Sequence, residues 1–140
     1  MNYGRTTYNH TSKTTDSQKE STRKALLNKE FRQALNFAVD RNSYSAQTNG
    51  TDGAAVAIRN TFSPYDLQVG NKQFGKLVEE SLAKTNSSTW SNVSLADSQN
   101  GLYNEEKAKA AFAKAKESLK AEGVEFPIHL DALTIQESTA

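Results

Sequence analysis

From Asn28 to Arg41 the chain reads NKEFRQALNFAVDR, and this stretch restricts the fold more than any other. Leu27, Phe31, Ala34, Leu35 and Ala38 recur at helical spacing, which puts them on one apolar stripe. A strand would send neighbouring members of that set to opposite faces. Phe37 and Val39 widen the stripe, so burial on more than one side is expected. Asp40 comes next. A carboxylate there accepts N–H bonds from the following turn, so it is expected to end this helix and cap a short one over about 41–47. On that reading Asp40 and Arg41 are caps and local ion-pairing groups rather than ligand contacts.

Other elements follow from caps and periodicity. Residues 1–15 form a polar arm rich in Thr, Asn and Tyr, with a short strand expected at Tyr8-Asn9. Asp16 or Ser17 is placed to cap a helix, and Ser17 with Glu20 has capping-box spacing. A helical core is expected over about 16–48. Thr48 to Gly53 reads as a turn, with two glycines that accept positive φ. Ala54 to Phe62 reads as a strand or extended segment before the Ser63-Pro64 break. Residues 65–71 read as loop, and Asn71 as the cap of an amphipathic helix over Lys72 to Lys84, within a loop-and-helix region of about 54–84. Its apolar face is Phe74, Leu77, Val78, Ser81 and Leu82.

The region 85–103 is rich in Ser and Asn and has Trp90 as its large anchor. A helix and strand are expected over 104–133. Asn104 caps the helix, and Ala108, Ala111, Phe112, Ala115 and Leu119 form its buried stripe. Gly123 closes it in the left-handed region, with Val124 placed for the accompanying apolar contact. Ile128 to Leu133 alternates as a strand, and His129 would be a hydrogen-bonded sheet residue under a helix.

Composition excludes several functions. Lys plus Arg number 17 against 16 Asp plus Glu, a net charge of +1. Nucleic-acid binding calls for a basic face, and none is visible. There is no cysteine, hence no disulfide, thiol nucleophile or thiolate metal site. No apolar run approaches the roughly 20 residues of a membrane span, and the N-terminus lacks a signal-peptide hydrophobic region. Gly70 to Gly75 lacks the Gly-Lys-Ser/Thr ending of a phosphate loop. His129 and Asp131 share a strand face, but two ligands are too few for a stable zinc site. Neither a catalytic group nor a cofactor site is expected.

Two separated motifs carry a family resemblance. Arg32, Ala34, Leu35, Ala38, Asp40 and Arg41 match an Arg-x-Ala-Leu-x-x-Ala-x-Asp-Arg signature. Gly101 to Leu133, GLYNEEKAKAAFAKAKESLKAEGVEFPIHLDAL, matches a second segment that follows it in order. Together they resemble extracellular solute-binding proteins of family 5, the substrate-binding lipoproteins of peptide ABC transporters, and within them the Ali/Ami type of Gram-positive bacteria. The resemblance implies an α/β fold: a helix-rich fragment, 1–140, of the C-terminal lobe of a two-lobed protein of the type II periplasmic-binding-protein kind.

It implies a non-catalytic function, oligopeptide binding and delivery to an ABC importer. The expected partners are an oligopeptide and the permease subunits, with no nucleic acid. The expected place is the extracellular face of the membrane, held by a lipid anchor outside this fragment. Peptide contacts are expected where backbone leaves packed elements, at Tyr8 and Asn9 and at Arg59, Asn60 and Phe62, with Arg59 available to a peptide carboxylate. Two rival readings belong to other classes. One is an independent extracellular helical interaction or adhesion module. The other is a small enzyme built on His129 and Asp131.

Overall fold

The computed structural model describes residues 4–132. In chain order the elements are α1 (Asp16–Leu27), α2 (Lys29–Ala38), α3 (Arg41–Ala54), β1 (Gln68–Val69), β2 (Lys72–Gln73), α4 (Phe74–Thr85), α5 (Ser87–Trp90) and α6 (Glu105–Ala121). The chain divides into two compact units. One takes the described residues up to Gln33 and from Ala110 onward; the other is Ala34–Lys109.

In the first unit, the capping box of α1 lies two residues before the expected one. Thr15 is the cap: its side chain accepts from the Gln18 N–H, and the Gln18 side chain accepts from the Thr15 N–H. Ser17 and Glu20 are used elsewhere, Ser17 donating to Glu125 and Glu20 accepting from Arg23. The buried face of α1 is made of small residues, Ser21, Thr22 and Ala25. Such a face lets backbone approach closely, and its hydroxyls satisfy that backbone. Ser21 accepts from the Glu125 N–H at 2.9 Å, and Thr22 donates to the His129 carbonyl at 3.0 Å.

One continuous helix was expected from the cap through Val39; the chain instead breaks at Asn28. Its backbone N–H closes α1 on the carbonyls of Lys24 and Ala25, while its side chain accepts from the Phe31 N–H and so opens α2. Arg32 of the signature donates to the Leu26 and Leu27 carbonyls, at the negative end of the α1 dipole. The break redirects the stripe. Phe31, Ala34 and Phe37 are buried, whereas Leu27 and Val39 are about half exposed and Ala38 faces out.

Phe31 packs on Phe112 of α6, ring centres 6.3 Å apart, beside fully buried Ala115 and Leu119. Helix α6 ends as expected. Gly123 has φ of 73°, the Gly123 N–H bonds to Lys120 and the Val124 N–H reaches back to Leu119, with Val124 buried. Gly123→Ala forces a Cβ into the left-handed region. It is expected to cost about 1 kcal/mol, read as a lowered thermal midpoint.

No strand forms over Ile128 to Ala132, and Leu133 lies outside the described residues. Alternation alone does not make a strand; a ladder partner is required. The only sheet among the described residues is the β1–β2 pair. His129 is accordingly not a sheet residue: its carbonyl is held by a side chain of α1. The expected strand at Tyr8-Asn9 is likewise irregular backbone.

In the second unit Asp40 caps α3 as expected, accepting from the Ser43 N–H and hydroxyl. Helix α3 then runs through the expected turn to Ala54, kinked at Gly50, where φ is 71°. Ala54 to Phe62 is not a strand. Its apolar residues are used singly, with Ala54 and Ile58 buried on either side of a turn closed by the Ile58 N–H on Ala55. The expected loop 65–71 contains β1, which pairs Gln68 with Gln73 and Val69 with Lys72 across Gly70-Asn71. Asn71 therefore sits in the hairpin turn, and α4 begins at Phe74 after an N-cap, Gln73, that makes no side-chain bond. Ser81 is exposed, while Val78 and Leu82 pack with Trp90 and Leu102 on the buried cluster Tyr65, Val93 and Leu95. Trp90 also packs on Phe37, the rings tilted at 42° with centres 5.3 Å apart.

Candidate functional site

The Asp-Arg pair at the end of the signature is a structural corner. Besides capping α3, Asp40 accepts from the Asn100 side chain at 2.7 Å. The Ser43 hydroxyl is the main reason its carboxyl is held below the ordinary range. Arg41 donates to the Asn60 side-chain oxygen at 2.6 Å. Its partner is an amide rather than the expected acid, and burial lowers its pKa. Asn60 in turn donates to the carbonyls of Ala96 and Gln99, both at 2.8 Å, and the Ser98 N–H donates to Ile58 at 3.0 Å. The bonds close a circuit: Asp40 and Arg41 hold Asn100 and Asn60, and Asn60 holds the 96–99 backbone.

Arg59 and Phe62 flank Asn60 on the same segment. Arg59 is more than half exposed, and its guanidinium donates to the Val56 and Ile58 carbonyls. The nearest acid is Asp97, at 4.0 Å, a separation at which exposed groups interact weakly. Phe62 is fully exposed. A phenyl ring left entirely in water on a segment fixed by side-chain bonds is the most conspicuous apolar surface of this unit.

Tyr8 and Asn9 belong to the other unit. Tyr8 is half-buried: its hydroxyl donates to the Arg5 carbonyl, and the Arg5 and Lys19 cations lie over its ring at 4.6 and 5.3 Å. Asn9 is exposed. The structure thus groups Arg59, Asn60 and Phe62 on one segment and places Tyr8 and Asn9 in a separate unit.

Asp131 does not orient His129. Its carboxylate accepts from Arg5, Thr11, Ser12 and Lys13 of the N-terminal arm. Among the described residues no group of three or more His, Asp or Glu could hold a metal ion, and no helix is long and apolar enough to cross a membrane.

No protein-family model matches the chain. It is 58% identical over 139 residues, 99% of its length, to the oligopeptide-binding protein AmiA of Streptococcus pneumoniae. It is 53% identical over 141 residues to the oligopeptide-binding protein SarA of Streptococcus gordonii, and 55% identical over 139 residues to AliA of S. pneumoniae. The chain is homologous to one segment of these oligopeptide-binding proteins. It spans about a fifth of their length, 21% in each case.

Within this homologous segment the Asp40–Arg41 corner and the Asn60 bridge are the built features. Sequence reasoning found the corner from its capping residue. It missed Asn100 and the 96–99 backbone as partners, because no local spacing connects residues 36 to 60 positions apart.

Proposed function

We propose that the chain serves in oligopeptide binding and delivery to an ABC importer, without catalysis. The identity of 49–58% over nearly its whole length to oligopeptide-binding proteins carries this reading. In the proposal residues 1–140 are part of the C-terminal lobe of a two-lobed α/β protein of the type II periplasmic-binding-protein kind. That protein works at the extracellular face of the membrane, held by a lipid anchor and docking on permease subunits. Nothing observed favours a separate adhesion module.

Tyr8, Asn9, Arg59, Asn60 and Phe62 are the proposed contributors to the peptide site. Arg59 offers a guanidinium to a peptide carboxylate, and Phe62 offers an apolar surface to a side chain. Peptide main chain can then bind in extended form, its affinity coming from backbone hydrogen bonds that do not read sequence.

The test is a chimaera in which this chain replaces the homologous fifth of pneumococcal AmiA. Calorimetry with a mixed short-peptide pool is expected to show binding by the chimaera and none by the chain alone. A chimaera that unfolds as cooperatively as AmiA yet takes up no peptide overturns the reading. Tight binding by the chain alone overturns its partial-lobe component.

A further inference from the structure

We propose that Asn60 is the positioning residue of the peptide site: it locks the segment carrying Arg59 and Phe62 to the Asp40–Arg41 corner and does not itself touch the ligand. This inference rests on the peptide-binding reading and makes it more specific.

A side-chain amide has two N–H donors and one acceptor oxygen. Both directions of Asn60 are committed. It donates to the Ala96 and Gln99 carbonyls, each at 2.8 Å, and accepts from Arg41 at 2.6 Å. Both N–H donors are spent on the 96–99 backbone and the oxygen is already held by Arg41, so in this proposal its effect on binding passes through the residues it holds. The 96–100 segment is secured again by Ser98 N–H on Ile58 and by Asn100 on Asp40. Ser98 itself has φ of 61°, a left-handed conformation that a non-glycine residue keeps only when its surroundings over-determine it.

Arg59 and Phe62 stand on either side of this anchor, both exposed. Thr61, between Asn60 and Phe62, donates to the Ser63 carbonyl at 2.6 Å. The segment is therefore ordered before ligand arrives. A loop ordered in advance avoids the entropy cost that a mobile loop would meet on binding.

Asn60→Ala and Asn60→Asp separate the parts of the anchor when made in the AmiA chimaera. Aspartate keeps an acceptor for Arg41 but has no donor for the two carbonyls. Both variants are expected to lower affinity about ten-fold, the worth of a lost hydrogen bond or two. The factor should be the same for acidic, basic, aromatic and aliphatic peptides, and amide exchange over 96–100 should accelerate. Phe62→Ala, at an exposed position, should weaken binding most for peptides with apolar side chains and leave that exchange unchanged.

A loss confined to one peptide class with unchanged exchange makes Asn60 a direct contact and overturns the proposal. Faster exchange with unchanged affinity also overturns it. A measurement free of substitution guards against variants that fail to fold: the Ser98 amide should be protected equally with and without peptide. Protection that appears only with peptide overturns the proposal. If the unsubstituted chimaera binds no peptide, the functional reading falls and the ligand role of Asn60 falls with it. The exchange comparison then still separates a failed anchor from a failed function.

Discussion

Phe37→Ala is expected to destabilise the unit 34–109 by about 3–5 kcal/mol, a large share of the roughly 5–15 kcal/mol that holds a domain folded. The ring is 1% exposed. It packs at a tilt against Trp90, ring centres 5.3 Å apart, and lies under the Lys107 ammonium at 5.6 Å. That ammonium also donates to the Thr89 and Ser91 carbonyls, where α5 ends. The Phe37 backbone carbonyl accepts from the Asn104 N–H at 2.9 Å. Truncation leaves a cavity where α2, α5 and the start of α6 meet, and this small unit has few other large buried side chains with which to fill it. Trp90, the only tryptophan of the chain, reports the change directly in a urea titration followed by fluorescence. Val39→Ala is the control: Val39 is 51% exposed and should shift the midpoint by less than about 0.5 kcal/mol. Equal losses from the two substitutions would refute the assignment of Phe37 to the core.

Helices with local punctuation were legible in the sequence. Asp40, Asn104 and Gly123 act within a turn of their own position, so residue type at a given spacing was sufficient to place them. Asn28 was legible in principle, since Asn is a preferred cap, but the apolar stripe ran through it and argued for continuity. The stripe is real on its Phe31–Ala34–Phe37 side, while Leu27 falls to solvent because the extended backbone of Asn28 interrupts the helix after it. Strands were read less well. Ala54 to Phe62 and Ile128 to Ala132 have strand-like composition, but a ladder depends on a partner that the segment itself does not specify. The site divides in the same way. Arg59 and Phe62 were candidates only because backbone leaves packed elements there; their exposure is a finding of the structure. The bonds of Asn60 to the Ala96 and Gln99 carbonyls were not legible, because backbone acceptors carry no residue signature.

The largest electrostatic effect is expected at Asp131. Asp131→Ala should release the N-terminal arm, raising amide exchange over residues 5–13 to the rate of an unfolded chain. Lys13, which pairs with Asp131 at 2.7 Å, has a side chain only 3% exposed. Arg5 reaches the same carboxylate, together with the Thr11 hydroxyl and the Ser12 amide and hydroxyl. Removing the acid strands a buried ammonium, an outcome far worse than removing both charges. Lys13→Met is accordingly expected to cost less, since Asp131 keeps Arg5 and its neutral donors and no buried charge is left without a partner. The order of the two variants is the test: a greater loss from Lys13→Met would mean that the acid is not the hub.

Acid titration adds an independent check. Lys13, followed by the Ser12 amide and the Thr11 hydroxyl, holds the Asp131 carboxyl far below its usual range. A folded-state pKa below the unfolded one gives stability that is fully present above the ordinary carboxylate value near pH 4 and lost as pH falls below it. The arm should therefore stay protected from neutral pH down to about pH 4 and loosen beneath it. The Asp131→Ala arm should be loose throughout, with no acid transition of its own. An arm that loosens well above pH 4 would show that the Asp131 carboxylate is not what holds it.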